Sequence, residues 1–226
     1  TYIIESGLTI QASGVHLVGQ GTQSTILKYQ AGSLTTSDYL IKVGIEPSGT
    51  NRQYGVQLKG FTLCHDISTD GLSSPRGIKI YDTHNWVVDD VEVFGLHQGF
   101  YSEEAWRGIF SNSVVGHNYR SSYLNQQSHD VSIENVFFGD TKEGYDVGAP
   151  VSHISVRNSW GVSIRSCNFE DLDVLPTEAF SIYLFNAVRG CEVKNNYFER
   201  IEGYALYIRD ESAGSNNAVA GLTVEN

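Results

Sequence analysis

Carboxylates recur at fixed offsets along the second half of this 226-residue chain. Glu170 and Glu199 stand six residues after Ile164 and Val193, Asp140 and Asp171 seven after Ile133 and Ile164, and Asp173 nine after Ile164, with Lys142 and Arg200 among them. Two carboxyl groups are what glycoside hydrolysis needs, one to protonate the leaving oxygen and one, ionised, to act as nucleophile or to activate water. Crowded like charges split their pKa values and so permit that division. If each repeat is one strand of a stack, Asp140 and Asp171 are roughly 5 Å apart at the backbone, near the retaining separation, whereas Asp140 and Glu199, two repeats apart, approach the roughly 6.5–9.5 Å of inverting enzymes. Both pairings stay open. The same residues allow an elimination, with Asp171 and Asp173 holding calcium and Arg200 or Lys142 accepting the proton. Glu103-Glu104 beside Trp106 is a second acidic site. His65-Asp66 and His84 are the one suggestion of a ligand pair, and neither a resident metal nor a cofactor is expected.

Something regular must hold those offsets. Strands of apolar–polar–apolar pattern run at 58–63 (LKGFTL), 88–93 (VDDVEV), 109–114 (IFSNSV), 133–138 (IENVFF), 164–169 (IRSCNF) and 193–198 (VKNNYF), with another start at Val224. The starts advance by 30, 21, 24, 31, 29 and 31 residues, too little for a βαβ unit in each repeat, and no amphipathic helical stretch lies between them. A second strand precedes several of them: GIKI at 77–80, SYLN at 122–125, HISV at 153–156, SIYLF at 181–185 and ALYI at 205–208. Period-two alternation there puts Ile80, Leu124, Val156, Leu184 and Ile208 on one face and Lys79, Tyr123, Ser155, Tyr183 and Tyr207 on the other. Coils of this length, each unable to bury its apolar face alone, predict an all-β parallel β-helix, a solenoid over residues 1–226 as one domain. Twenty-three glycines and many Asn and Asp suit frequent corners, and the scarcity of hairpin signals, Asp70-Gly71 alone, argues against an antiparallel sandwich.

In such a solenoid, equal offsets become columns along the axis. Tyr123, Tyr183 and Tyr207 then form an outward aromatic column suited to stacking on hexose C–H faces, with Lys142 and Arg200 as polar partners of a glycan. Trp86, Trp106 and Trp160, which precede their repeat starts by two, three and four residues, are expected on another ridge, available to substrate or to a neighbouring subunit.

A net charge of −11 repels nucleic-acid backbones and anionic lipid, and no apolar run is long enough to cross a bilayer, so neither nucleic acid nor membrane insertion is expected. Cys64, Cys167 and Cys191 are far apart and lack metal spacing, and are read as buried small hydrophobes. GVHLVGQGTQSTIL at 14–27 has glycines but neither G-x-G-x-x-G nor G-K-S/T, and it runs into a β-branched stretch, so it is no phosphate cradle. The chain starts at Thr1, contains no methionine and stops within a repeat, which suggests a piece of a longer polypeptide without its terminal caps.

The GVHLVGQGTQSTILKY segment, the G-I-x-I and V-x-I-x-N strand pairs and the Asn-rich corners resemble the pectate-lyase-like right-handed β-helix superfamily, especially the tailspikes and capsule depolymerases of bacteriophages. The resemblance implies a right-handed solenoid in which Gly19 and Gly21 make a corner of the first coils. It also implies a virion-borne or extracellular homotrimer acting on a bacterial surface polysaccharide, with the tryptophans at subunit contacts. The paired Asp-Asp, G-H-G and R-I-K motifs of polygalacturonases are absent, and Asp89-Asp90 alone does not restore them.

Overall fold

Leu58, Val88, Phe110, Ile133, Ile164, Val193 and Val224 lie side by side in successive parallel strands, one from each turn of the chain. All but Val224 are buried. The structure, a computed structural model, describes residues 1–30, 34–44, 52–65, 74–119, 122–141, 151–172, 179–209 and 219–225, and among these there is no helix. The strands form a 14-stranded sheet, an eight-stranded sheet and a two-stranded one, stacked in parallel: the predicted β-helix.

One coil shows how the sequence makes the turns. Ile109–Ser111 and Val114–Gly116 both belong to the large sheet, and Tyr123–Gln126 belongs to the second. A single bridge through His129 then leads to Ser132–Glu134 in the next coil. Between these pieces Asn112, His117, Gln127 and Asp130 take positive φ of 48–54°. The left-handed region is costly for most residues, and Asn and Asp tolerate it because their short side chains hydrogen-bond locally. The same corner recurs above and below as Asp90, Asn135, Ser166 and Asn195, each with positive φ.

The interior is a set of columns. Phe138, Phe169 and Phe198 stack face to face at 5.3 and 5.0 Å between centroids, close to the strand spacing of about 4.8 Å. Trp86 is wholly buried, and its indole lies where a Cβ on Gly108 would be, 1.9 Å from Cε2, so the next coil accepts the tryptophan only because it has glycine there. Cys64, Cys167 and Cys191 are free and buried, and burial pushes the thiols of Cys167 and Cys191 up to about 12.

Three sequence expectations need correction. The interior residue of its coil is Phe110, not Ile109, which is 43% exposed, so offsets counted from Ile109 are one short. Tyr123 points inward between Phe100 and Ile154, with its hydroxyl on Ser102 at 2.9 Å, and Leu124 takes the outward place beside Tyr101 and Ser155. Trp86 is likewise inside. Neither Tyr123 nor Trp86 meets a polysaccharide.

Candidate functional site: a groove ending in an acid corner

The outer face of the large sheet carries a column of equivalent positions, Cys64, Phe94, Gly116, Gly139, Glu170 and Glu199. In the middle of it two successive coils have no side chain. A Cβ on Gly116 would stand 2.8 Å from the Gly139 carbonyl oxygen, and one on Gly139 would stand 2.5 Å from the Phe137 ring. The missing side chains leave a hollow of about 190 Å³ lined by Phe94, Val114, His117, Phe137 and Asp171 as well as the two glycines. It shares Val114 and Phe137 with a second hollow of about 250 Å³, whose polar lining includes Asn112, Asn135 and Asn168. Together they make a groove with an apolar floor and amide groups along one side.

Glu170 and Glu199 sit directly opposite one another on adjacent strands, Asn168–Leu172 and Tyr197–Ile201, at the end of this groove. Adjacent parallel strands place their backbones about 4.8 Å apart. Tyr197 donates its hydroxyl hydrogen to Glu199 at 3.1 Å, and that bond raises the phenol above its usual range. One residue further on, Asp171 and Arg200 both adopt positive φ at the corner. Arg200 grips Asp171 with two contacts, Nε to Oδ1 at 2.7 Å and Nη2 to Oδ2 at 2.8 Å, and its Nη2 lies 3.6 Å from Glu170. A two-point guanidinium grip fixes orientation as well as charge. Asp171 is therefore an anchor for Arg200, and the two carboxylate residues in register on adjacent strands are Glu170 and Glu199.

Of the other acids, Asp140 lies level with Asp171, between the pairs Gly139–Glu170 and Thr141–Leu172. The Asp140 side chain, Lys142 and Asp173 lie outside the described residues, as does Asp66. Glu103 is elsewhere, on the outer face of the eight-stranded sheet, where it meets Lys79 at 3.3 Å and Gln126 at 3.3 Å. Among the described residues no three His, Cys, Asp or Glu side chains converge to hold a metal ion.

The aromatic candidates separate in the same way. Trp106 is half-buried in a ladder running along the axis, with His84 at 4.5 Å, His129 at 4.9 Å and Arg52 over the ring at 4.9 Å. His129 stacks in turn on Trp160 at 4.3 Å. Neighbouring coils cover the faces of Trp106, so a sugar meets only the ring edge. Burial in this ladder lowers the imidazole pKa of both His84 and His129. Tyr183 and Tyr207 share a column on the outer side of their sheet, but Tyr183 is only 4% exposed, covered in a cluster with Phe180, Phe185, Tyr204 and Tyr207, with Phe180 on Tyr207 at 4.4 Å and Tyr183 on Phe185 at 4.6 Å, so the structure does not offer it to a sugar as expected. Sequence reasoning missed Phe137 and the two floor glycines. The signal was there in the glycines at matching heights, hidden by the one-residue slip at Ile109.

The fold is shared widely. The Dettilon tailspike protein superposes with a TM-score of 0.67 at 12% identity, over 96% of this chain and 40% of the tailspike. PfbA, a surface adhesin of Streptococcus pneumoniae, gives 0.64 at 12% identity over 99% of this chain and 68% of the adhesin. The catalytic domain of an α-1,3-glucanase solved with tetrasaccharides gives 0.53 at 13% identity over 99% of this chain and 52% of that domain. The chain thus spans about two fifths of the length of the tailspike. No curated protein sequence is significantly similar to it. The sequence pattern described as the right handed beta helix region matches residues 50–226, and the chain belongs to that family.

Proposed function

We propose that this solenoid hydrolyses a bacterial surface polysaccharide, a capsule or O-antigen, bound along the groove with its scissile bond at Glu170 and Glu199. The observation that carries this reading is the in-register carboxylate pair at the end of a groove with an apolar floor and amide side. One carboxyl protonates the glycosidic oxygen while the other attacks the anomeric carbon, the chemistry suited to carboxyls about 5–5.5 Å apart. Phe137 offers a hydrophobic seat for a pyranose ring, and Asn112, Asn135 and Asn168 offer donors and acceptors for its hydroxyls. Arg200, positioned by Asp171, is a further donor beside Glu170. Asp140 and Asp173 remain companion candidates, as does Asp171 in a calcium-assisted lyase. In the same proposal the protein is virion-borne or extracellular, and trimeric.

The test is depolymerisation of a panel of capsules and O-antigens, with new reducing ends and uronate-type absorbance both recorded. Reducing ends without absorbance mark a hydrolase. Glu170→Gln and Glu199→Gln are expected to lower turnover by at least about 10²-fold, the usual weight of a general acid or base, with unchanged thermal midpoints. Full activity in both variants would overturn the assignment, and Asp140→Asn and Asp171→Asn would then locate the site. The likeness to a surface adhesin favours one second reading, a glycan-holding segment that never yields reducing ends.

A further inference from the structure

The strands that carry the acid pair carry another outward set of residues two positions earlier. The segments 133–138, 164–169 and 193–198 each end in a phenylalanine that stacks inside, so Phe137, Asn168 and Tyr197, one place before it, point outward. Phe137 pairs with Asn168 and Asn168 with Tyr197, which makes one column beside that of Gly139, Glu170 and Glu199. Phe137 and Asn168 line the groove. Tyr197 stands one coil further along the axis, level with Glu199, and is 55% exposed. Two strand spacings, roughly 10 Å, separate the coils of the two aromatic residues. Asn168 and Glu170 lie at the height between them. The Tyr197 hydroxyl is tied to Glu199 at 3.1 Å, so ring and carboxylate form one unit at the end of the column.

We propose that Tyr197 is a specificity-determining sugar platform on the far side of the scissile bond from Phe137, and that the glycan is therefore cut internally and not from its end. A glycan lying along the axis meets the Phe137 ring, the Asn168 amide and the Tyr197 ring in turn. Each ring offers apolar area to the C–H face of a sugar. A bond placed between Glu170 and Glu199 then has a ring on each side of it. Polymer held on both sides of the bond is what internal cleavage requires. The two parts of Tyr197 act separately: the ring supplies affinity, whereas the hydroxyl orients Glu199 and favours its ionised form by donating to it. The position of the cut rests on the reading of Glu170 and Glu199 as the hydrolytic pair; the platform itself does not depend on catalysis.

The experiment runs the full chain through gels containing each capsule and O-antigen of the panel, in the Glu170→Gln background so that the polymer stays intact. KM and kcat are measured on any polymer that the parent cuts. Tyr197→Ala is expected to weaken retention and raise KM by roughly 5-fold or more, the scale of one aromatic contact, with the thermal midpoint unchanged because the ring is exposed. Tyr197→Phe keeps the affinity and lowers kcat. Tyr204→Ala, which removes a tyrosine of similar exposure (57%) from the other sheet, changes neither. The first products of the parent are expected to be oligosaccharides. If retention depends on Tyr197 but no polymer is ever cut, the hydrolase reading falls and the platform stands. Undiminished affinity in Tyr197→Ala, an equal loss in Tyr204→Ala, or as large a loss from phenylalanine as from alanine would overturn it. So would a monosaccharide as first product, or a protein that no polysaccharide of the panel retains.

Discussion

His153 shows what a single residue contributes to the molecule's pH response. It is fully buried, close to the Phe169 ring at 5.8 Å. Burial pushes its pKa down to about 3. In the unfolded chain an ordinary histidine takes up a proton near pH 6.5. Between those values the unfolded state binds the additional proton, so stability falls as pH drops through that window and the loss levels off below about 3. The greatest slope from this one group is about 1.4 kcal/mol per pH unit. Urea unfolding of the parent and of His153→Leu from pH 7 to pH 4 is expected to show the variant with the shallower decline. Parallel curves would mean that the imidazole is charged or solvated in the native state. At the acid corner Asp171 is held by two contacts from Arg200, whereas Glu170 and Glu199 stand in register on adjacent strands.

The corners are the elements that set the shape of each coil. Asp90, Asn112, Asn135, Ser166 and Asn195 repeat one left-handed turn inside the large sheet, and Asn135 donates a side-chain hydrogen bond to Asn112 at 2.7 Å. Asn135→Ala keeps the backbone in a region that alanine disfavours by about 1–2 kcal/mol and also removes the amide link. Its expected cost is about 1–3 kcal/mol in chemical denaturation. Asn135→Gly relieves the backbone term and loses only the side-chain bond, so it should be the milder change. If alanine proves as well tolerated as glycine, the ladder of amides does not hold the corner. The groove depends on these corners too, since Asn112 and Asn135 line it.

The whole solenoid offers one apolar ridge suited to self-association. Tyr54, 48% exposed, meets His84 edge-on at one end of the ladder of His84, Trp106, His129 and Trp160, and Ile109, 43% exposed, follows Trp106 by three residues. A trimer formed through this ridge would cover the ring edges while leaving the groove open to a glycan. Sedimentation is expected to give a trimer for the parent and a shift to monomer for Ile109→Glu, because a buried carboxylate without a partner opposes association. A parent that sediments as a monomer at every concentration would remove the trimer from the proposal.

The sequence by itself determined the coil period, the absence of helical periodicity, the interior stack of Ile133, Ile164 and Val193, and the residue types at left-handed corners. These are local properties: a period-two pattern, a turn chemistry and a repeat of about 30 residues are each written in contiguous residues. It also placed Tyr207 on the outer side of its sheet and Glu170 and Glu199 in one column. Only the tertiary structure decided that Tyr123 and Trp86 point inward, that Arg200 closes on Asp171, and that Gly116 and Gly139 open the groove beside the acids. The reason is geometric. Side chains alternate across a strand, so a slip of one residue exchanges inside for outside. The sequence pattern does not show the slip, because the polar interior of Ser102 and Asn125 accepts a tyrosine hydroxyl as readily as a leucine suits the core. Contacts between coils depend on loop lengths that differ from turn to turn, and only the stacked chain brings equal heights together.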